Sequence, residues 1–188
     1  RLGVEGRAGY IFQTSPFLEY SNHQYKAMKN AYAGHLKYSF QLRPHTVADQ
    51  AYIGAYQGIG VGYFNFGNPE ELGNPLAVYL FQGGRIAQFS PRISLNYEWN
   101  FGASFGWKPY DEYDNPENQI IGSKVNAYLN VNLYLKWALS PKFDLMIGTT
   151  GSHFSNGNTQ YPNSGLNTVD CKVGLVYNFN RRADELAQ

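Results

Sequence analysis

The sequence predicts an all-β protein, an eight-stranded antiparallel up-and-down β-barrel whose strands cross a membrane. Three observations lead to this prediction. Apolar and polar residues alternate with a period of two over long segments. Aromatic residues make up 16% of the 188-residue chain, a composition that favours a β-rich fold. Short and long connections alternate between the predicted strands, as they do in outer-membrane barrels.

Residues 124–137 show the alternation most clearly. The odd positions from Val125 to Trp137 are apolar, whereas the even positions carry asparagine, tyrosine and lysine. Successive side chains of a strand lie on opposite faces, so this segment has one apolar face along its whole length. Residues 93–105 repeat the pattern, with Glu98 in the middle of the polar face. The same alternation predicts eight strands, at 2–13, 32–43, 51–65, 75–89, 92–106, 121–138, 142–155 and 166–180.

The stretch GIGVG lies in the third predicted strand. It places Gly58, Gly60 and Gly62 on one strand face, where they would make room for large neighbours inside a narrow barrel. No helix follows these glycines, which argues against a phosphate-binding loop.

The connections differ in length in a regular order. Residues 89–92 and 139–142 are tight turns and 44–50 is moderate, whereas four connections are longer and rich in Asn, Pro, Asp and Gly, namely 14–31, 66–74, 107–120 and 156–165. With an even strand number, both termini lie at the short-turn, periplasmic end, and the long loops face outside. We expect one domain, the barrel at 1–180, followed by a short polar tail at 181–188.

Period alone does not decide which face points outward, because a soluble lipocalin-like barrel alternates with its apolar face inward. Strands of 12 or more residues are long enough to cross the apolar layer of a bilayer. Aromatic residues lie near predicted strand ends, as in interfacial girdles: Phe89, Trp107, Trp137 and Tyr177. The polar face carries charges that could pair inside a small, filled barrel: Glu5, Arg7, Lys37, Glu98, Lys136, Asp144, Asp170 and Lys172. These features favour a membrane barrel that is too narrow for a porin.

Composition and charge exclude several other classes. The formal net charge is +1 and the basic residues are scattered, so no clustered surface for nucleic acid is expected. Cys171 is the single cysteine and the four histidines show no ligand spacing, so we expect no disulfide, no metal and no cofactor. No run of 18 apolar residues is present. The chain is interpreted as a mature form, its signal peptide removed, in the outer membrane of a Gram-negative-type bacterium.

The stretch GSHFSNGNTQYPNSGLN at residues 151–167 brings a histidine and a serine together at a predicted strand end. His153 and Ser155 share the parity of the apolar face, so both should point outward near the loop end. On the next strand Asn167 shares the outward face, whereas Asp170 has the opposite parity and should point inward. The alternation therefore predicts a polar trio at the membrane–water boundary, with Asn167 rather than Asp170 as its third member.

The segment HFSNGNTQYPNSGLN resembles the active-site segment of the outer-membrane lipid A 3-O-deacylases, eight-stranded barrels with a His-x-Ser-Asn motif on the outer face. The resemblance implies that His153 is the general base and Ser155 the nucleophile. It further implies that Asn156 and Asn163 line the oxyanion hole. The glutamate with which that family orients its histidine falls on Asn167, so this chain has an amide in place of a carboxylate.

These residue types suit ester cleavage in their own right. A serine hydroxyl becomes a good nucleophile when an adjacent base accepts its proton, and that base must be held in the right tautomer. Asparagine N–H groups can stabilise the oxyanion of a tetrahedral intermediate. Asn167 can accept a hydrogen bond from the histidine but supplies no negative charge. A loop carboxylate could take that role, the candidates being Asp111, Glu112, Asp114 and Glu117.

The predicted function is that of a serine esterase that removes an ester-linked acyl chain from lipid A or lipopolysaccharide in the outer leaflet, in contact with membrane lipid. Because serine and asparagine are ordinary turn residues, the alternative is a non-enzymatic outer-membrane barrel with a structural or adhesive role and a degenerate motif. A soluble lipocalin-like binder is a third interpretation. A second Ser and His pair, Ser21 and His23, is interpreted as solvated loop. Whether the barrel forms a homodimer stays open.

Overall fold

The computed structural model describes residues 1–41 and 54–181. They form one closed antiparallel barrel in which β8 pairs with β1. No helix within this described part is long and apolar enough to cross a membrane. The predicted fold class is confirmed. The elements are β1 Leu2–Ile11, α1 Pro16–Glu19, β2 Asn30–Gln41, β3 Tyr56–Asn65, β4 Gly73–Ser90, β5 Ile93–Trp107, β6 Val125–Ala138, β7 Phe143–Ser155 and β8 Leu166–Tyr177.

The predicted alternation of connections holds wherever both ends are described. Residues 91–92 and 139–142 join strands at one end of the barrel, and residues 12–29, 66–72, 108–124 and 156–165 join them at the other. We call the second end the long-loop end. Three predicted segments fall wholly or partly outside the described residues: the connection at 44–50, the strand positions 42–43 and 51–53, and the tail from 182 to 188.

Two strands begin several residues later than the sequence predicts. The third predicted strand starts at residue 51, whereas β3 begins at Tyr56, and residues 54 and 55 lie outside it. The sixth strand was expected from residue 121, but β6 begins at Val125. The reason is that the side-chain oxygen of Asn118 accepts hydrogen bonds from the backbone N–H groups of Ile120 and Ile121, at 3.2 and 3.1 Å. This turn buries both isoleucines completely, so their apolar character reflects loop packing rather than strand pairing.

The apolar faces of the strands point outward. Leu80 and Val131, in the middle of two strands, expose 63% and 66% of their surface. The charged residues predicted for the inner face are buried, with the exception of Lys136, which is half-buried. An apolar exterior around a charged interior is the reverse of a lipocalin-like barrel and matches the predicted membrane barrel.

Five charged side chains from four strands form an ionic cluster in the middle of the barrel. The carboxylate of Glu5 accepts a hydrogen bond from Arg7 Nε at 2.6 Å and lies 2.9 Å from Lys172 Nζ. The carboxylate of Glu98 contacts Lys37 Nζ. All five are at least 95% buried. Buried charges are tolerated when they are paired, so the ionic cluster accounts for the charged residues of the inner face and fills the lumen.

The glycines of β3 make room inside the barrel, as the sequence predicts. A Cβ atom at Gly62 would lie 2.6 Å from His35 Nδ1, and one at Gly60 would lie 2.7 Å from the Tyr79 hydroxyl oxygen. These two neighbours are themselves joined by a 2.9 Å hydrogen bond. Any side chain at either glycine would therefore displace a buried polar pair.

The lumen is closed at the long-loop end by five buried aromatic residues, which we call the aromatic plug: Phe64, Phe66, Trp107, Tyr128 and Phe154. Phe66 stacks on Trp107 with ring centroids 5.6 Å apart, and Phe154 stacks on Tyr128 at 5.2 Å. Aromatic residues bury large areas and prefer such offset or edge contacts. The aromatic plug packs against the inner side of the strand that carries the predicted site.

The position of Trp107 differs from the sequence prediction. The sequence predicts Trp107 in an outer aromatic girdle, but it belongs to the aromatic plug. Its side chain is only 4% exposed, and its indole N–H donates to Ser104 Oγ at 2.8 Å. The backbone before it turns through Gly106, whose φ of +87° is in the left-handed region. This irregularity breaks the alternation at the end of β5 and brings the indole inside.

Candidate functional site

The predicted trio comes together on the outer wall at the long-loop end. His153 and Ser155 lie two residues apart at the end of β7, and Asn167 lies at the start of β8. The register of the two antiparallel strands places His153 directly opposite Asn167. The side chains of all three are half-buried, whereas their strand neighbours of opposite parity are buried. Strand parity and register together are sufficient to assemble the site.

Two hydrogen bonds link the three side chains in series. His153 Nδ1 lies 2.7 Å from Asn167 Oδ1, and His153 Nε2 lies 3.0 Å from Ser155 Oγ. The amide oxygen can only accept, so His153 carries its proton on Nδ1 in this arrangement, as assigned from the network. The unprotonated Nε2 then faces the serine hydroxyl, which donates to it. This is the geometry in which a neutral imidazole can receive the hydroxyl proton.

No carboxylate takes the place of Asn167 in the described structure. Asp170 points inward, is 6% exposed, and accepts a hydrogen bond from Thr168 Oγ1 at 2.9 Å. Among the loop acids considered as partners of His153, Asp111 accepts hydrogen bonds from the backbone N–H groups of Asp114 and Tyr113. These hydrogen bonds lower the pKa of the Asp111 carboxyl. None of the four candidates, all within the described residues, hydrogen-bonds to His153, so the amide is the orienting group.

The strand end that carries the site is fixed from inside. Phe154 lies between His153 and Ser155 in sequence and has the opposite parity, so its fully buried ring belongs to the aromatic plug. Its ring centroid lies 5.1 Å from that of Phe64 and 5.2 Å from that of Trp107. A site on a strand with a packed inner face is more precisely held than one on a free loop.

The loop after Ser155 is ordered by its asparagines. The backbone N–H of Asn156 donates to Asn163 Oδ1 at 3.0 Å, and Asn156 Nδ2 donates to the carbonyl of Gln160 at 2.7 Å. Asn163 Nδ2 donates in turn to Asn158 Oδ1 at 3.0 Å. Both predicted oxyanion donors therefore lie in the loop that follows the serine, and each amide nitrogen uses one of its two N–H groups within that loop.

The β5–β6 loop supports this segment from the side. The backbone N–H groups of Ser164 and Gly165 donate to the carbonyls of Gln119 and Ile120, at 3.3 and 3.1 Å. Gly165 was not singled out from the sequence. The available signal was its position directly before a strand, where its φ of +73° needs a residue without a side chain.

The second Ser and His pair forms no comparable site. The backbone N–H of His23 donates to Glu71 at 3.0 Å, and its ring Nε2 lies 3.9 Å from the same carboxylate. No hydrogen bond joins His23 to Ser21 in the described part of the chain. Across residues 1–41 and 54–181, moreover, the His, Cys, Asp and Glu side chains form no group of three that could hold a metal ion.

Comparison with known proteins bears on the same segment. The model of the family described as Lipid A 3-O-deacylase (PagL) matches residues 81–176. The crystal structure of the outer membrane enzyme PagL is similar with a TM-score of 0.55 at 15% identity, covering 92% of this chain and 97% of that one. The crystal structure of Neisserial surface protein A (NspA) is similar with a TM-score of 0.56 at 11% identity, covering 95% and 97%. At these identities the two structures support the fold alone. No protein with curated function matches.

Proposed function

The chain belongs to the lipid A 3-O-deacylase (PagL) family, whose model matches just over half of its 188 residues, and from this premise we propose that it is an outer-membrane serine esterase that removes an ester-linked acyl chain from lipid A. The observation that carries the proposal is the hydrogen-bonded chain of Asn167, His153 and Ser155 on the outer wall. These residues lie inside the segment that the family model matches.

In the proposed reaction, the hydroxyl oxygen of Ser155 attacks the carbonyl carbon of the acyl ester, and its proton moves to His153 Nε2. The tetrahedral intermediate then collapses. The C–O bond to the sugar breaks, and the imidazolium returns the proton to the departing sugar oxygen. The acyl chain stays on Ser155 as an ester. A water molecule, activated by His153 in the same way, releases the fatty acid and regenerates the serine.

The proposed reaction needs an imidazole held in the right tautomer and hydrogen-bond donors for the oxyanion. Asn167 Oδ1 accepts the Nδ1–H hydrogen bond and so keeps the imidazole in the right tautomer. We propose that Asn156 and Asn163 donate N–H groups to the oxyanion, an interaction worth about 3 to 4 kcal/mol per donor. Each amide nitrogen has two N–H groups. One binds Gln160 or Asn158 within the loop, and the other can donate to the oxyanion.

An outward-facing site suits a lipid substrate in the outer leaflet. The wall below the site is apolar, with Val131 and Ile147 exposing 66% and 52% of their surface, so acyl chains can lie against it. The long loops rise above Ser155 on the side where the sugar head group would lie. A soluble substrate would give no reason for a catalytic serine to face the bilayer.

The test is mass spectrometry of lipid A before and after incubation with the purified protein in detergent micelles. We expect loss of one acyl chain and release of the corresponding fatty acid, and no release by Ser155→Ala. Ser21→Ala is the matched control, since it removes the serine of the second Ser and His pair and should retain full activity. Release of no fatty acid by the unaltered protein would reject the esterase and favour the non-enzymatic barrel.

A further inference from the structure

One backbone position lies unusually close to the imidazole of His153. A Cβ atom added at Gly165 would lie 3.1 Å from His153 Cε1, 3.0 Å from the carbonyl oxygen of Phe154 and 3.6 Å from Ser155 Cβ. The φ of Gly165 is +73°, a conformation that residues with side chains adopt only at a cost. Gly165 therefore forms one side of the space that the imidazole occupies.

The position of Gly165 is itself set by the β5–β6 loop. Its N–H donates to the carbonyl of Ile120 at 3.1 Å. Asn118, which is completely buried, holds that residue through the hydrogen bond from the Ile120 N–H to its side-chain oxygen. The Asn118 amide nitrogen donates to the carbonyls of Lys108 and Glu71, at 2.9 and 3.1 Å. A continuous set of hydrogen bonds thus runs from the base of two loops to the residue beside the imidazole.

We propose that Gly165 is a positioning residue for the esterase reaction, and that Asn118 positions Gly165. Without a side chain, Gly165 lets the His153 ring lie where it reaches both Asn167 and Ser155. Because its N–H is bound to Ile120, Gly165 also forms a fixed boundary on the Cε1 side of the ring. The inference rests on the proposed function, since it assigns a role within that reaction.

Gly165→Ala tests the inference, with Gly67→Ala as the matched control. Gly67 also has a left-handed backbone, with φ of +79°, but a Cβ atom there would meet nothing within 4 Å. Both variants carry the same kind of backbone strain, and only Gly165→Ala adds an atom against the imidazole. Because small misplacements of a catalytic group can cost up to about 100-fold in rate, we expect kcat of Gly165→Ala to fall about 10- to 100-fold, with KM within about 2-fold.

A fluorophosphonate probe gives a readout that a general loss of structure would not reproduce. Ser155 Oγ displaces fluoride from the phosphorus of the probe, so the labelling rate per folded barrel reports the activated serine. We expect that rate to fall with kcat in Gly165→Ala and to stay unchanged in Gly67→Ala. Equal labelling of Gly165→Ala and the unaltered protein, or equal losses in both variants, would overturn the inference. Failure of the unaltered protein to label or to release fatty acid would instead reject the proposed function.

A second pair of variants keeps the test decisive if Gly165→Ala does not fold. Asn115 Nδ2 donates to the same carbonyls of Glu71 and Lys108 as Asn118 does, but within the described residues no hydrogen bond joins it to Ile120. We expect Asn118→Ala to lower kcat and the labelling rate about 3- to 10-fold, within the range that small displacements produce, and Asn115→Ala to change neither. Equal effects of the two substitutions would contradict the inference.

Discussion

At the scale of single residues, the proposed site differs from the family motif that it resembles in one side chain, the asparagine at position 167 in place of a glutamate. Asn167 Oδ1 accepts the hydrogen bond from His153 Nδ1 at 2.7 Å, so the tautomer and the ring orientation are the ones that the reaction needs. An amide, however, carries no charge to stabilise the imidazolium that would form in the proposed reaction. In the proposed reaction Asn167 therefore orients the imidazole but adds no charge to stabilise the imidazolium.

Asn167→Asp should raise activity, because aspartate has the same size and adds the missing charge. A charge-assisted hydrogen bond exceeds a neutral one by about 1 to 2 kcal/mol, so we expect kcat to rise about tenfold. The measurement is the initial rate of fatty acid release from lipid A. Asn167→Ala, which removes the acceptor altogether, should lower the same rate. If Asn167→Asp is no faster than the unaltered protein, charge at this position does not limit the reaction.

At the scale of elements, the end of β7 has two functions on its two faces. His153 and Ser155 face outward, and Phe154 between them packs into the aromatic plug. Because a strand alternates its side chains, the inner face can hold the backbone rigid while the outer face carries the proposed site. The β5–β6 loop adds a lateral support through Gly165.

Phe154→Ala should destabilise the barrel and loosen the site together. Truncation of a fully buried phenylalanine costs about 3 to 5 kcal/mol, and we expect a loss near the lower end, measured as the free energy of unfolding by urea from detergent micelles. Phe101→Ala is the control, because Phe101 faces outward and is 56% exposed. A loss at Phe154 no larger than that at Phe101 would contradict a structural role for the aromatic plug.

At the scale of the whole molecule, the lumen of the barrel is filled with side chains, and the two ends of the barrel differ in structure. The ionic cluster fills its middle and the aromatic plug closes the long-loop end, above which lie the long loops. Of the strands that contribute charges, β8, β1 and β2 are neighbours in the closed barrel, whereas β5 lies across the lumen from them. The contact between Lys37 and Glu98 therefore links opposite walls and adds to the backbone hydrogen bonds that close the barrel.

Removal of one partner from the ionic cluster should weaken the whole barrel. Glu98→Leu removes the nearer of the two carboxylates beside Lys37 and leaves only that of Glu5, 3.8 Å from Lys37 Nζ; breaking a buried pair costs about 3 to 5 kcal/mol. The double variant Lys37→Met with Glu98→Leu should recover part of that loss, since no charge of this pair is then left unpaired. Urea unfolding of both variants and of Lys37→Met alone gives the coupling free energy between the Lys37 and Glu98 side chains. Additive losses would mean that the two side chains do not stabilise each other.

The sequence by itself determined the barrel class, the strand number, the face that each residue of the site occupies and the trio of His153, Ser155 and Asn167. It could do so because strand alternation is a local property with a period of two, and because neighbouring antiparallel strands present the same face to one side. The family motif added roles that the alternation alone does not assign.

The tertiary structure alone decided the features that depend on contacts between distant segments. The register that sets His153 opposite Asn167, the inward turn of Trp107, the late start of β6 and the place of Gly165 beside the imidazole all belong to this group. Each follows from hydrogen bonds or packing between loops and strands, such as the bond from Gly165 to Ile120. No periodicity within one segment encodes such a contact, because its geometry exists only once the barrel has closed.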